Sequence, residues 1–268
     1  MRTRPDGAPS TRAWQTRAAS ACARCAACAA VLLASCAAPP PAASPAADAR
    51  PIDLGPGLRV DRARREVTVD AEVACDRGWL EQAACKAGTR EHESLLAIEV
   101  LPSRIHAALL LAGAVPGSPG SWTQGPDGTS VVRVRPTGTP LELFVRAPSG
   151  DVPLSDWVHD PAKARAFPPQ PWVFAGSRTR PNTPSMGPGE HYVADRTGSV
   201  VGIVTFGDET IAFDEVLSDQ AEVDAPQWQA RTERMPEPGT RVRLVIRVVG
   251  DAPPGAANAA PAAKAPSP

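Results

Sequence analysis

The sequence predicts an α+β domain, mainly antiparallel β and sandwich-like, with one buried helix near 102–113. Several segments alternate apolar and polar side chains at period two, the signature of a strand with one buried face. One segment shows the helical period instead, and long Pro/Gly-rich stretches separate the rest, a pattern of strands and loops with few helices.

Taken in chain order, Leu58–Asp61 and Glu66–Val73 alternate about the charged turn Arg62 to Arg65 and predict a hairpin. Ser94–Val100 is too apolar for an exposed strand and reads as a buried one. Pro102 suits a first helical turn. Ile105, Ala108, Leu109 and Ala112 then form an i, i+3, i+4, i+7 stripe that Gly113 stops. Ala107, Leu110 and Leu111 are apolar too, which predicts burial on most sides. Ser130–Arg135 and Leu141–Arg146 predict a second hairpin about Pro136 to Pro140. Trp172–Ala175, Val200–Phe206, Ile211–Phe213 and Val242–Val249 continue the strand pattern, and Val115–Gly128 and Ser177–Gly189 read as loops.

The ends have a different composition. Residues 1–24 carry five Arg against one Asp, and an uncharged apolar run follows from Cys25 to Ala34, as in a secretory signal. Ten apolar residues are half of the ~20 that span a bilayer. Leu33-Ala34-Ser35-Cys36 resembles the lipobox of bacterial lipoproteins, which implies cleavage before Cys36 and a diacylglycerol on its sulfur. The expected organisation is a signal peptide over 1–35, a lipidated, Ala/Pro-rich tether over 36–51, one domain over 52–250 and an Ala/Pro-rich disordered tail over 251–268. Removing the signal takes a chain of formal charge −1 to −5. With 28 basic and 29 acidic residues, there is no electrostatic case for a nucleic-acid partner.

Of six cysteines, Cys22, Cys25 and Cys28 fall in the signal, where alanine spacers argue against an iron–sulfur cluster, and Cys36 is the lipid acceptor. Cys75 and Cys85 remain. In an exported chain they favour a disulfide, with a two-Cys metal site or a redox pair as alternatives.

The block Glu91-His92-Glu93-Ser94-Leu95-Leu96, followed by Arg104-Ile105-His106-Ala107-Ala108-Leu109, resembles the YdjY-domain family. The likeness continues through Trp157-Val158-His159-Asp160, Trp172-Val173-Phe174-Ala175-Gly176-Ser177, His191-Tyr192-Val193-Ala194-Asp195 and Thr232-Glu233-Arg234-Met235-Pro236, across roughly Val60 to Val249. The resemblance implies an exported or membrane-tethered protein, some of whose relatives occur alongside iron–sulfur proteins, and it implies no particular reaction.

No G-x-S-x-G, G-x-x-x-x-G-K or G-x-G-x-x-G motif occurs. Ser94 beside His92 and Glu93 makes no triad by adjacency alone. His92, His106 and His191, with Glu91 or Glu93, are residue types that suit zinc or another borderline metal. The His92–Glu93–Ser94–Leu95–Leu96 run lacks the second histidine of a helical metalloprotease motif. The acidic run Asp208 to Asp224 reads as a solvated face, and Trp122 in a Gly/Pro loop reads as a binding surface. The leading expectation is a lipid-anchored, non-enzymatic binding or accessory protein of the cell envelope. It would face the periplasm, with the outer membrane preferred because Ala37 replaces the retention Asp, and would meet an envelope partner or ligand around Glu91-His92-Glu93. The alternatives are a metal-binding or redox accessory protein using a His/Glu site with a transition metal, and a structural envelope component.

Overall fold

The computed structural model describes residues 50–147 and 150–250. The signal peptide, Cys36, the tether up to residue 49 and the tail from 251 lie outside the described residues.

Eight strands form the centre of the fold: β1 (Glu66–Val73), β2 (Gln82–Lys86), β3 (Ser94–Ile98), β4 (Pro140–Ala147), β5 (Trp172–Val173), β6 (Ser199–Gly202), β7 (Ile211–Phe213) and β8 (Arg241–Val248). Their spatial order is β1-β8-β4-β5-β7-β6-β2-β3, and β3 pairs back onto β1. The sheet is therefore a closed barrel, which corrects the expected sandwich. The cause lies in β1. Its first half pairs with Leu58–Asp61 in the predicted hairpin, and its last residues, Glu72 and Val73, pair with Ala97 and Leu96 of β3. A sandwich and a small barrel bury the same alternating faces, so periodicity cannot separate them.

Alternation fixes which way each strand faces. Val67, Val69, Ala71 and Val73 of β1, Val242, Leu244, Ile246 and Val248 of β8, and Leu141, Leu143 and Val145 of β4 are buried. The charged Asp70, Glu72, Arg241 and Arg243 between them are exposed. Polar-out, apolar-in is the reverse of a transmembrane barrel, whose lipid-facing surface is apolar. On the outer face Glu66 is nevertheless buried, because Arg247 at 3.0 Å and Arg146 at 3.8 Å close over it.

Two of the eight pairings are parallel, β2 with β3 and β6 with β7, and these four strands are apolar or buried along nearly their whole length. Burial on both faces removes the alternation that marks an antiparallel strand. A parallel connection must run back along the strand it leaves. These strands have only three to five residues, about 10–17 Å at ~3.3 Å per residue, so residues 87–93 and 203–210 suffice for the return.

Helix α1 (Pro102–Leu111) forms where predicted, with Pro102 in its first turn, and packs on the Leu58–Asp61 strand and β1. Gly113, at φ +83°, ends it in the left-handed conformation that favours glycine. Its burial is narrower than expected. Ile105, Ala108 and Leu109 are covered, but Leu110 and Leu111 are about half exposed, because the helix lies outside the barrel and not within it. The second predicted hairpin is also corrected. Val131–Val134 pairs with Ser121–Gln124, inside a stretch read as loop, and β4 pairs with β8 from the far end of the chain. Both alternatives satisfy the same period-two pattern.

The expected Cys75–Cys85 disulfide does not form, and both thiols are free. Cys85 lies in β2 level with Ala97, whereas Cys75 follows β1, whose next residue back, Ala74, donates its N–H to Leu95 O. With β3 between them, the two cysteines are two strand spacings apart, ~10 Å, before any offset along the strands is counted. A disulfide needs Cα atoms within ~7 Å. Cys75 Sγ lies 2.8 Å from Arg77 O instead, and Cys85 is fully buried, which pushes its thiol pKa up.

Barrel closure predicts a contrast between two leucines. Leu96→Ala, at the fully buried β1–β3 seam, is expected to lower the unfolding free energy by about 2–5 kcal/mol in urea titration, whereas Leu110→Ala on the exposed side of α1 changes it by about 0.5 kcal/mol or less.

Candidate functional site

The parallel register of β2 and β3 sets Gln82 opposite Ser94, so the residues just before them, Glu81 and Glu93, come side by side. Glu81 N donates to Glu93 O at 3.0 Å, and the two carboxyls are hydrogen-bonded to one another. The return loop ends in a single 3-10 turn, Glu91–Glu93. Glu91 Oε1 accepts the Gly88 N–H within the loop, which holds the Glu91 carboxyl below the ordinary range.

This turn forms a ridge between two concavities. Glu91 lines an open groove of ≈1090 Å3 bordered by Glu72, Glu99, Arg146, Arg241 and Arg243 on the outer barrel face. Glu93 lines a smaller cavity of ≈180 Å3 with Glu81, Asp219, Asp224, Trp79 and Val204. His92 sits between them with its side chain 74% exposed, and its Nε2 lies 3.5 Å from Glu93 Oε1.

Burial pushes the Glu81 pKa up to about 7, helped by the hydrogen bond and the repulsion from Glu93. Arg90 opposes this, donating to Glu81 Oε2 at 3.4 Å. Its guanidinium also lies 3.9 Å over the Phe206 ring, so part of its field is spent on the aromatic face. Desolvation outweighs the Arg90 cation, and Glu81 holds a proton near neutrality. Phe206 belongs to the other return loop, 203–210, which also donates Ile203 N and Val204 N to Glu81 O. The two return loops thus meet at one place, and each adds one residue, Glu93 and Val204, to a cavity otherwise lined by residues from 79–81 and 217–228.

The other predicted residues lie elsewhere. His106 Nδ1 is 3.1 Å from Tyr192 OH, and its ring meets Phe174 and Tyr192 edge-on. Tyr192 OH donates to Gly176 O at 3.0 Å and lies 3.3 Å from Thr210 Oγ1. Burial raises the tyrosine to about 12 and lowers the histidine, so the pair stays neutral. This cluster fastens α1 to the segment after β5. His191 Nδ1 lies 3.2 Å from Asn182 Oδ1 on a separate hairpin. His92, His106 and His191 are thus not brought together, and among the described residues no three His, Cys, Asp or Glu side chains could hold a metal ion.

Sequence reasoning missed Glu81, Arg90, Phe206 and Glu209. Only Glu209 carried a signal, as part of the acidic run, and that run is not uniformly solvated. Asp208 and Glu209 are buried, and Asp214 and Asp224 pair with Arg135 at 3.3 Å and Arg133 at 2.8 Å. Trp122 is partly exposed, with the Arg133 guanidinium 4.9 Å from its ring centroid.

Fold and site together define a closed-barrel α+β domain with an acidic concave surface where two parallel-strand return loops meet. The chain matches the model of the YdjY domain over residues 58–247, and it belongs to that family. No curated protein and no solved structure matches it significantly. No helix among the described residues is long and apolar enough to cross a membrane.

Two measurements follow from these contacts. Because folding raises the Glu81 pKa from 4.5 to about 7, the fold favours the protonated Glu81 carboxyl, and that advantage is complete below pH 4.5 and lost as pH rises through 7. Unfolding free energy should therefore fall between pH 4.5 and 7, and Glu81→Gln should flatten part of that slope. Tyr192→Phe, which removes the hydroxyl shared by His106, Gly176 and Thr210, is expected to cost about 1–3 kcal/mol in the same titration.

Proposed function

We propose that this chain is a lipid-anchored protein of the bacterial cell envelope whose YdjY domain is a non-enzymatic binding or accessory module. It takes a partner protein or small ligand on the surface around Glu91-His92-Glu93. The observation that carries this reading is the position of that turn on a ridge between the ≈1090 Å3 groove and the ≈180 Å3 acidic cavity, each lined by one of its glutamates. Concave surfaces with a few convergent polar groups are where ligands and partners are recognised.

Binding is favoured over catalysis by where the reactive side chains point. Ser94 Oγ donates to Leu96 O, His106 is held by Tyr192, and neither residue lines either concavity. The lipid anchor is supported by the lipobox-like Leu33-Ala34-Ser35-Cys36, and delivery to the outer membrane by Ala37 after the cysteine. The anchor sets the domain at a membrane surface facing the periplasm.

Each half has its own test. Cys36→Ala should abolish incorporation of labelled palmitate and release the protein from the membrane fraction; a variant still labelled would refute the anchor. A photo-crosslinking amino acid placed at the exposed position 92 should capture a discrete partner in intact cells, and the same probe at position 110 should not. Equal capture at both positions, or at neither, would rule out a protein partner at this turn.

A further inference from the structure

Glu209 is the most deeply buried carboxyl of the second return loop, with 1% of its surface exposed. Its Oε1 accepts the N–H groups of Phe206 and, at 3.0 Å, of Gly207. Its Oε2 is buried and has no hydrogen-bond partner among the described residues. The side chain fits only because residue 202 is glycine, since a Cβ there would lie 2.4 Å from Glu209 Cγ. A single carboxyl group therefore pins the tip of the loop from beneath, with half of its polar capacity unmet.

The pinned loop is a wall of the acidic cavity. Val204 lines the cavity directly. Thr205 N donates to Leu217 O and Leu217 N to Thr205 Oγ1, which ties the loop to Leu217, another lining residue. Phe206 carries the Arg90 guanidinium, which reaches Glu81. Movement of the Phe206–Gly207 tip is thus transmitted to both the wall and the carboxyl pair. The charged groups around Glu209 are few. Asp208 is adjacent, with a buried Oδ1 that has no partner among the described residues, and the Arg178 side chain lies beside Gly207. Across the loop stand Arg90 and then Glu81, with Glu93, Asp219 and His92 beyond them.

We propose that Glu209 is a proton-operated latch: with its carboxyl protonated the 203–210 loop stays closed, and ionisation releases the Phe206–Gly207 tip and loosens the cavity wall. A protonated carboxyl leaves Oε1 free to accept both N–H groups and places no net charge in the core. An ionised one puts a charge on the unpartnered Oε2 beside Asp208, and opening the loop is how water reaches it. Burial accordingly pushes the Glu209 pKa up to about 7, against the two backbone hydrogen bonds that lower it. The closed loop is fully favoured below pH 4.5, loses about tenfold per pH unit as pH rises to 7, and changes little beyond. The latch acts on the cavity wall whatever the cavity binds, so it stands apart from the anchor and from the identity of a partner.

Amide hydrogen exchange in the full mature chain tests this. After correction for intrinsic rates, protection of Phe206 and Gly207 should fall about 100-fold between pH 5 and 8. The Val248 amide, which donates to Arg65 O in the barrel, should lose far less. Glu209→Gln should make the protection of both loop amides independent of pH. If that variant does not fold, 13C titration of the Glu209 carboxyl in the unaltered chain decides. A midpoint near 7, together with local loss of protection, supports the latch. A midpoint near 4.5, pH-independent protection at Phe206 and Gly207, or a parallel fall at Val248 would overturn it.

Discussion

Two parallel strand pairs inside an otherwise antiparallel barrel are the constraint on which the rest of this molecule depends. Each forces the chain to run back along itself, and because the strands have only three to five residues, each return is a loop of seven or eight residues. The pairs are neighbours, joined through the antiparallel β6 and β2, so the end of the first loop and the start of the second both lie beside Glu81. A loop this short has little slack, and its polar groups are satisfied within the loop itself and by the chain just before β2: Gly88 N donates to Glu91, and Phe206 N and Gly207 N to Glu209. Ile203 N and Val204 N donate to Glu81 O, and Arg90 spans Phe206 and Glu81.

That geometry explains why acid groups accumulate at half-buried positions. In parallel pairing, residues preceding paired strands lie level with one another, and here those residues are Glu81 and Glu93. Two carboxyls in hydrogen-bonding distance at reduced dielectric cannot both ionise without a nearby cation, and the one available is shared with an aromatic ring. Glu209 shows the same physics in a drier place. It serves as the internal ligand of its loop, where its two accepted N–H groups compete with the cost of burying charge. The result is a surface whose charge changes near neutral pH, set beside a groove carrying both carboxylates and guanidinium groups.

Parts of this were legible in the sequence. The first hairpin, the position of α1 and the polar-out alternation of β1 and β8 all follow from periodicity or local composition. The failures share a cause. β4 alternates as a hairpin strand should, yet its main partner β8 lies about a hundred residues away. Cys75 and Cys85 are close along the chain, but Cys75 follows β1, Cys85 lies in β2, and β3 is inserted between those two strands. His92 and His106 are also near in sequence, and yet one crowns the turn while the other is locked to Tyr192.

What the sequence determined by itself was the local character of each segment, because alternation, proline, glycine and charge act over a few residues through steric and solvation effects that need no partner. It also marked the different chemistry of the ends, around Cys36 and beyond Gly250. Only the tertiary structure decided which strands pair, that the sheet closes through Glu72 and Val73, and that Glu81, Glu93, Arg90, Phe206 and Glu209 share one place. Pairing energies between strands of the same pattern are nearly degenerate along the chain. They are resolved by packing one common core, and a carboxyl acquires an unusual proton affinity only once that core has decided what surrounds it.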